Sequence, residues 1–569
     1  GKIRNIVSAV GGHLRYQSGP SYEIDIQAGL ARGLLARLPS EAIARLSWPH
    51  AAVATTSQGV ALTGAGDMHV LGNDGAGIKI GVIDLGFSGL SSAISSGDLP
   101  VGQTVTDYTG TGTGGTNHGT NVAEIVHDMA PGAQLLLAKI NTDVQLAQAV
   151  DDMISSGVQV INHSVAWFGA AFYDGTGPLC DITGSAEMAG VLWTNDAGNS
   201  LNNHYLNTFS DADSDLRHEF TAGQNYNTIS LTAGIAVTLV LNWDAYPSTT
   251  TDYDLFLYNG NPDGGGTQVG SSQNNQGGNG PFGFPSPYES ISYVPSATDT
   301  YYIVVEKEDS ATPHLPLTLF SLGPALGTKT RTSSLVQPAD CASVLTVGAT
   351  NLSDNPEGFS SEGPTTDDRN KPEISAPNRV QTSLSGSFAG TSGSSPHVAG
   401  AVALILDASP GYSTAQVRND LISTAQDVSA PGFDFRTGYG RLSLDADGDG
   451  VNHDGDNCLF DSNTSQTDTD ADGMGDACDD DDDNDGLSDV NEINVHGTDP
   501  LDPDADNDGL TDGEEIGYGT NPLLVDTDSD GYSDSEEIAA GSDPLNENSI
   551  PTAYPDGDAN GDGQVDVRD

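Results

Sequence analysis

The sequence predicts an α/β fold: a mostly parallel sheet with helices on both faces, interrupted by an all-β, jelly-roll-like insert and followed by an acidic repeat tail. Three observations predict it. Short apolar strand runs alternate with amphipathic helical runs between residues 66 and 442, the signature of strands buried beneath helices. Within that span, from about residue 202 to 325, the helical runs stop and β-alternating segments separated by Gly, Asn, Pro and Ser take over. From Leu444 onward the pattern DxDxDG recurs, and about half of all acidic side chains fall there with Arg568 as the only basic one.

Composition narrows the partners. A chain of 569 residues is too long for one core, since single domains run to about 100–200 residues. A formal net charge of -61 with 19 Lys+Arg argues against nucleic acid and anionic membrane, whose phosphates need clustered cations. Cations are the expected small partners. No apolar run is long enough to span a membrane. The chain begins at Gly1 without a basic-then-apolar leader, so it reads as already trimmed. Four cysteines, Cys180, Cys341, Cys458 and Cys478, contain no CxxC pair and read as two disulfides.

In chain order, residues 1–60 form a small α+β segment, with apolar alternation at 3–10 and a helix at 40–46. The run Gly77-Ile78-Lys79-Ile80-Gly81-Val82-Ile83 is a strand with Asp84 at its carboxyl end, where side chains of α/β sheets converge on ligands. Asn117-His118-Gly119-Thr120 opens a helix with Val122, Ile125, Val126 and Met129 on one face. Further strands follow at 135–140 and 158–162. The strand ending at Thr194 runs into Asp196-Ala197-Gly198-Asn199, whose asparagine offers an amide donor. Five β runs then fill the insert, at 237–243, 252–258, 288–294, 301–307 and 315–322. The α/β pattern resumes at 345–349 and reaches Gly390-Thr391-Ser392 at the start of a long apolar helix. A serine at a helix N-terminus meets unpaired N–H groups and the positive end of the dipole. It is either a cap or a nucleophile.

Asp84, His118, Asn199 and Ser392 decide between these. The stretches GVIDLG, NHGTNVAEIVHDMAPGAQL, VINHSV, TNDAGNS, TVGAT, SSEGPT and GTSGSSPHVAGAVALILDASP resemble the subtilase family of serine proteases over residues 66–442 outside the insert. The resemblance implies a subtilisin-like sheet and an Asp-His-Ser triad of Asp84, His118 and Ser392, with Asn199 as an oxyanion donor. It also implies that substrate adds as a strand beside Ser164, Val165 and Ala166. Asn121, Glu124 and Gly393-Ser394-Ser395 depart from common family wording. His127, His163 and His397 read as packing residues and not as metal ligands. The stretch LPSEAIARLSWPHAAVATT resembles the end of a protease prodomain, with maturation expected between residues 54 and 76. The alternation at 252–258 is similar to pre-peptidase C-terminal modules, although here the module interrupts the α/β unit.

In the tail, Asp481, Asp483, Asp485, Asp489 and Glu492 take positions 1, 3, 5, 9 and 12 of a loop with Gly486 at position 6, a donor spacing that selects calcium. Asp504, Asp506, Asp508, Asp512 and Glu515 repeat it, as do Asp526, Asp528, Asp530, Asp534 and Glu537. Asp445, Asp447 and Asp449, and Asp468, Asp470, Asp472 and Asp476, begin similar loops. The array at 444–549 resembles thrombospondin type 3 repeats, which implies that Cys458 pairs with Cys478. Asp558, Asn560, Asp562, Asp566 and Asp569 resemble the start of a dockerin loop at 556–569. A disulfide between Cys180 and Cys341 would close across the insert and points, with calcium, to an extracytoplasmic home. The expectation is a monomeric, bacterial serine endopeptidase, secreted or on the cell surface, acting on polypeptides. The rival reading is a calcium-stabilised adhesion or scaffold protein that has lost activity.

Overall fold

The computed structural model describes residues 13–18, 21–25, 55–246, 249, 251–274, 287–453, 455–458 and 460–551. Near the N-terminus, strands His13–Ser18 and Ser21–Asp25 pair antiparallel. The alternation at 3–10, the helix at 40–46 and the loop at 556–569 lie outside the described residues. The chain divides into two compact units, Gly1–Ala446 with Asn452–Asp454, and Asp447–Val451 with Gly455–Asp569.

The first unit is built on a seven-stranded sheet. Its strands run in the order Ile374–Pro377, Val344–Thr350, Leu192–Asp196, Val160–His163, Lys79–Asp84, Gln134–Lys139, Val105–Asp107. Every pairing is parallel. Sequence alternation divides the sheet between two cores. Val82, Val160 and Leu192 face the helices His118–Met129 and Thr391–Ala408. Ile83, Ile161 and Trp193 face Asp143–Ser155 and Pro178–Met188. Burial on both faces explains the near-continuous apolar strands.

Thr391–Ala408 is buried from Thr391 to Ile405, an all-round apolar helix at the centre of the unit. It can approach His118–Met129 closely because Gly400 has no side chain; a Cβ there would lie 2.3 Å from Met129 Cβ.

The insert is an eight-stranded sandwich of two antiparallel four-stranded sheets. Trp243 and Tyr253, both fully buried, pack edge to face in its core. One of these sheets also binds the sandwich to the α/β body. Leu239 and Leu241 point inward, whereas Val240 and Phe320 join Tyr173 and Val336 in a separate cluster that also touches Ala166 and Phe168. A disulfide joins Cys180 to Cys341, 161 residues apart.

The second unit has short helices after its acidic loops. Asp512–Tyr518 and Asp534–Ala540 each start with a capping box, Thr511 with Glu514 and Ser533 with Glu536, which satisfies orphan N–H groups at the helix start. Cys458 and Cys478 are disulfide-bonded.

Candidate active site and acidic loops

Asp84 ends its strand with a buried carboxylate, and His118 opens its helix with a quarter-exposed side chain. They meet: His118 Nδ1 lies 2.7 Å from Asp84 Oδ2. A carboxylate accepts only, so Nδ1 carries the proton and Nε2 is left as the basic nitrogen. Burial works against a charged imidazole here. The charge and hydrogen bond of Asp84, with Asp196 behind, outweigh it and hold His118 above its ordinary value.

Ser392 sits in the first turn of Thr391–Ala408, where backbone N–H groups have no intrahelical acceptor. Its Oγ donates to Ser164 O at 3.3 Å; among the described residues it is not bonded to His118. Asn199 is exposed, and its Oδ1 accepts from Thr391 N at 3.0 Å. The amide nitrogen Nδ2 is thereby turned away from that donor. Gly390, at φ 120°, passes so close that a Cβ there would lie 3.4 Å from Asn199 Nδ2.

The stretch Ser164, Val165 and Ala166 leaves the end of the strand Val160–His163. Its next residue, Trp167, is held at two points: its N–H donates to Gln337 O at 2.9 Å and its indole to His163 Nε2 at 2.9 Å. His163 Nδ1 bonds Ile83 O, and burial pushes this imidazole down to about 4. His397 is likewise buried, between Ser57 Oγ and Gly393 O, and His127 Nδ1 meets no hydrogen-bond partner among the described residues. These three are packing groups. The unusual Asn121 and Glu124 bind Thr382 and Ser383.

Asp196 was not singled out by its sequence context. It is a buried acid hydrogen-bonded to Thr391 Oγ1 at 2.9 Å and to Asn195 Nδ2 at 3.2 Å. Burial pushes it up to about 6. In sequence it reads as part of the turn through Gly198, whereas it is the buried last residue of the strand Leu192–Asp196.

The acidic loops share one geometry. The glycine at position 6 adopts φ of 95° to 105° at Gly486, Gly509 and Gly531, a region that disfavours other residues. Its N–H donates to the position-1 carboxylate, Asp481, Asp504 or Asp526. Gly473 does the same to Asp468. The position-9 acids Asp489, Asp512 and Asp534 use one oxygen to hold the N–H of position 2, as does Asp476. Spacing alone did not reveal this second task. The position-12 acids Glu492, Glu515 and Glu537 are fully buried. Among the described residues, Glu492 Oε2, Glu515 Oε2 and both Glu537 oxygens meet no donor, nor do Asp481 Oδ1, Asp483 Oδ2, Asp506 Oδ2, Asp528 Oδ2 and Asp530 Oδ2. Burial among like charges pushes Glu492 up to about 7 and Glu515 up to about 8. Unpaired buried carboxylates are costly, and convergent hard oxygens are the donor set of calcium. The residues fit that ion. Asp468, Asp470 and Asp472 gather their oxygens in the same way. Asp445 belongs to the first unit, whereas Asp447 and Asp449 belong to the second. Asp558, Asn560, Asp562, Asp566 and Asp569 lie outside the described residues.

Residues 268–440 match the subtilase family, a stretch that contains Ser392 but not Asp84, His118 or Asn199. Residues 481–503, 504–524 and 526–547 match the bacterial TSP3 repeat. A match to the subtilase family is thus followed along the chain by matches to the bacterial TSP3 repeat. It is 38% identical to subtilisin E of Bacillus subtilis (strain 168) over 120 residues, 21% of this chain and 30% of that protein. It is 40% identical to subtilisin DY of Bacillus licheniformis over 109 residues, 19% of this chain and 38% of that one. The chain thus spans about a third of the length of the curated relatives it matches. Among solved structures, the CspB protease of Clostridium perfringens aligns with 66% of this chain and 92% of its own, at 17% identity and a TM-score of 0.48. MycP1 from Mycobacterium smegmatis aligns with 69% and 84%, at 18% identity and a TM-score of 0.36.

Proposed function

We propose that the chain is a subtilase-type serine endopeptidase that hydrolyses peptide bonds through an acyl-enzyme. The observation that carries the reading is the 2.7 Å contact between Asp84 and His118; Ser392, the proposed nucleophile, stands in the first turn of the central helix. In this account Ser392 Oγ attacks the scissile carbonyl while His118 Nε2 takes its proton. The Oγ–carbon bond forms as the carbonyl π bond opens to an oxyanion. Asn199 Nδ2 and the Ser392 N–H donate to that oxygen. Collapse breaks the C–N bond as the imidazolium returns its proton to the leaving amine, and water releases the acyl group by the same route. Asp84 fixes the His118 tautomer and stabilises the imidazolium. In a free enzyme the nucleophile need not yet point at its base, which accommodates the Ser392 bond to Ser164 O.

The substrate is a polypeptide laid as a strand along Ser164, Val165 and Ala166. Calcium is held by the acidic loops at 444–549, where it supplies charge neutralisation and rigidity and takes no part in the chemistry. Residues 1–60 serve as a prodomain, residues 66–442 as the discontinuous peptidase domain and residues 202–325 as its inserted module. Two disulfides and calcium loops favour an extracytoplasmic, bacterial setting, with the chain acting as a monomer. Digestion of an unfolded polypeptide tests the reading. Hydrolysis by the calcium-loaded chain that is lost in Ser392→Ala supports it; a folded, calcium-loaded chain without hydrolysis, or with hydrolysis that survives Ser392→Ala, overturns it.

A further inference from the structure

The groups behind the oxyanion donor form a connected chain. Asp196 Oδ2 lies 2.9 Å from Thr391 Oγ1, which lies 3.1 Å from Asn199 Oδ1, and Thr391 N donates to that same Oδ1 at 3.0 Å. Asp196, Thr391 and Asn195 are buried, so solvent does not readily replace a missing partner at that end of the chain, whereas Asn199 at its other end is exposed. Asn195 Nδ2 fixes the other oxygen of Asp196 at 3.2 Å.

We propose that Asp196 is a positioning residue for the oxyanion site: it fixes the Thr391 hydroxyl, and through Thr391 it holds the Asn199 carboxamide with Nδ2 facing the reacting oxygen. The inference rests on the protease reading above and extends it to a residue that does not touch substrate. Its logic is one of donors and acceptors. A side-chain amide has two nearly isosteric ends, and only one orientation presents an N–H to the oxyanion. The Thr391 N–H selects that orientation by demanding an oxygen. Thr391 can present its N–H steadily only if its own side chain is anchored at the helix start, and Asp196 is the buried group that anchors it. The titratable neighbours facing Asp196 are Asp84 and His118.

The role predicts a loss in kcat with little change in KM, because the oxyanion contact is made in the transition state. On a short peptide substrate, Asp196→Ala and Thr391→Val are each expected to lower kcat by about tenfold or more with KM within about twofold. Asp196→Asn, whose amide can bond the same hydroxyl, is expected to recover most of that loss. In an Asn199→Ala background the first two substitutions should have little further effect, since the group they position is gone. Thr391→Val removes only a hydroxyl, so it decides the matter if Asp196→Ala does not fold. Both variants keeping kcat within about twofold of the parent, or losses that multiply with that of Asn199→Ala, would overturn the inference. A parent chain that is folded but hydrolyses nothing overturns the protease reading, and this inference with it; an active parent with unaffected variants overturns the inference alone.

Discussion

Asp508 Oδ2 accepts the backbone N–H of Ser535 at 2.9 Å, while the Asp508 carbonyl accepts the Ser535 hydroxyl at 2.6 Å. The fifth position of one acidic loop is thereby tied to the helix that closes the next. Asp485 makes the corresponding bond to Gly513 N at 2.7 Å. Filling one loop should therefore favour the next. Ser535 lies outside the ligand set, and Ser535→Ala removes one of these bonds at a cost of about 1 kcal/mol. The expected result is a calcium titration in which the last repeat binds about fivefold more weakly while the first is unchanged. Calorimetry on the full chain measures it.

In the proposed mechanism the Asp84 contact sets the pH range of the reaction. His118 must be neutral to act as base, and its proton affinity is held above the ordinary imidazole value. Activity should therefore fall as pH drops through a midpoint above about 6.5. In Asp84→Asn the charge is lost, so that midpoint moves down, and under the proposed mechanism kcat should fall by about 10⁴, the loss known for the same change in a serine-protease triad. A kcat profile against pH reads both effects.

Phe320 connects the insert to the segment that follows the strand Val160–His163. Its ring lies 5.2 Å from Phe168 and 5.1 Å from Tyr173. Phe320→Ala should destabilise the first unit by about 3–5 kcal/mol. If the fold survives, the segment after Ser164, Val165 and Ala166 loosens, and KM should rise more than kcat falls. Denaturant unfolding and steady-state kinetics on a peptide of several residues separate the two.

The Cys180–Cys341 bond closes a loop of 161 residues that contains the whole sandwich. Replacing both cysteines by serine should lower the stability of the first unit by about 2–5 kcal/mol. Thermal unfolding of the double variant should show a lowered Tm for that unit, with the transition of the calcium-loaded tail unmoved.

Residues whose chemistry is local were legible in the sequence. The strand ending at Asp84, the helix opening at His118 and the turn at Asn199 are each marked by neighbours in the chain, and the acidic loops by a fixed spacing. The insert was legible as strands because Leu239, Leu241, Leu255 and Leu257 alternate with residues facing outward. What sequence did not disclose depends on partners far along the chain. Asp196 reads as a turn residue until Thr391 is folded against it. The position-9 acids read as ligands alone, although each also holds a backbone N–H seven residues earlier. The contact of Phe320 with Phe168 joins outward faces of separate elements, for which alternation offers no register.

The nucleophilicity of Ser392 is the central claim. Incubating the folded, calcium-loaded chain with a fluorophosphonate and mapping the adduct by peptide mass spectrometry tests it most directly. The account predicts a single adduct on Ser392 that disappears in Ser392→Ala and is strongly slowed in Asp84→Asn. A folded chain that takes up no label, or one labelled equally well after Ser392→Ala, would contradict it.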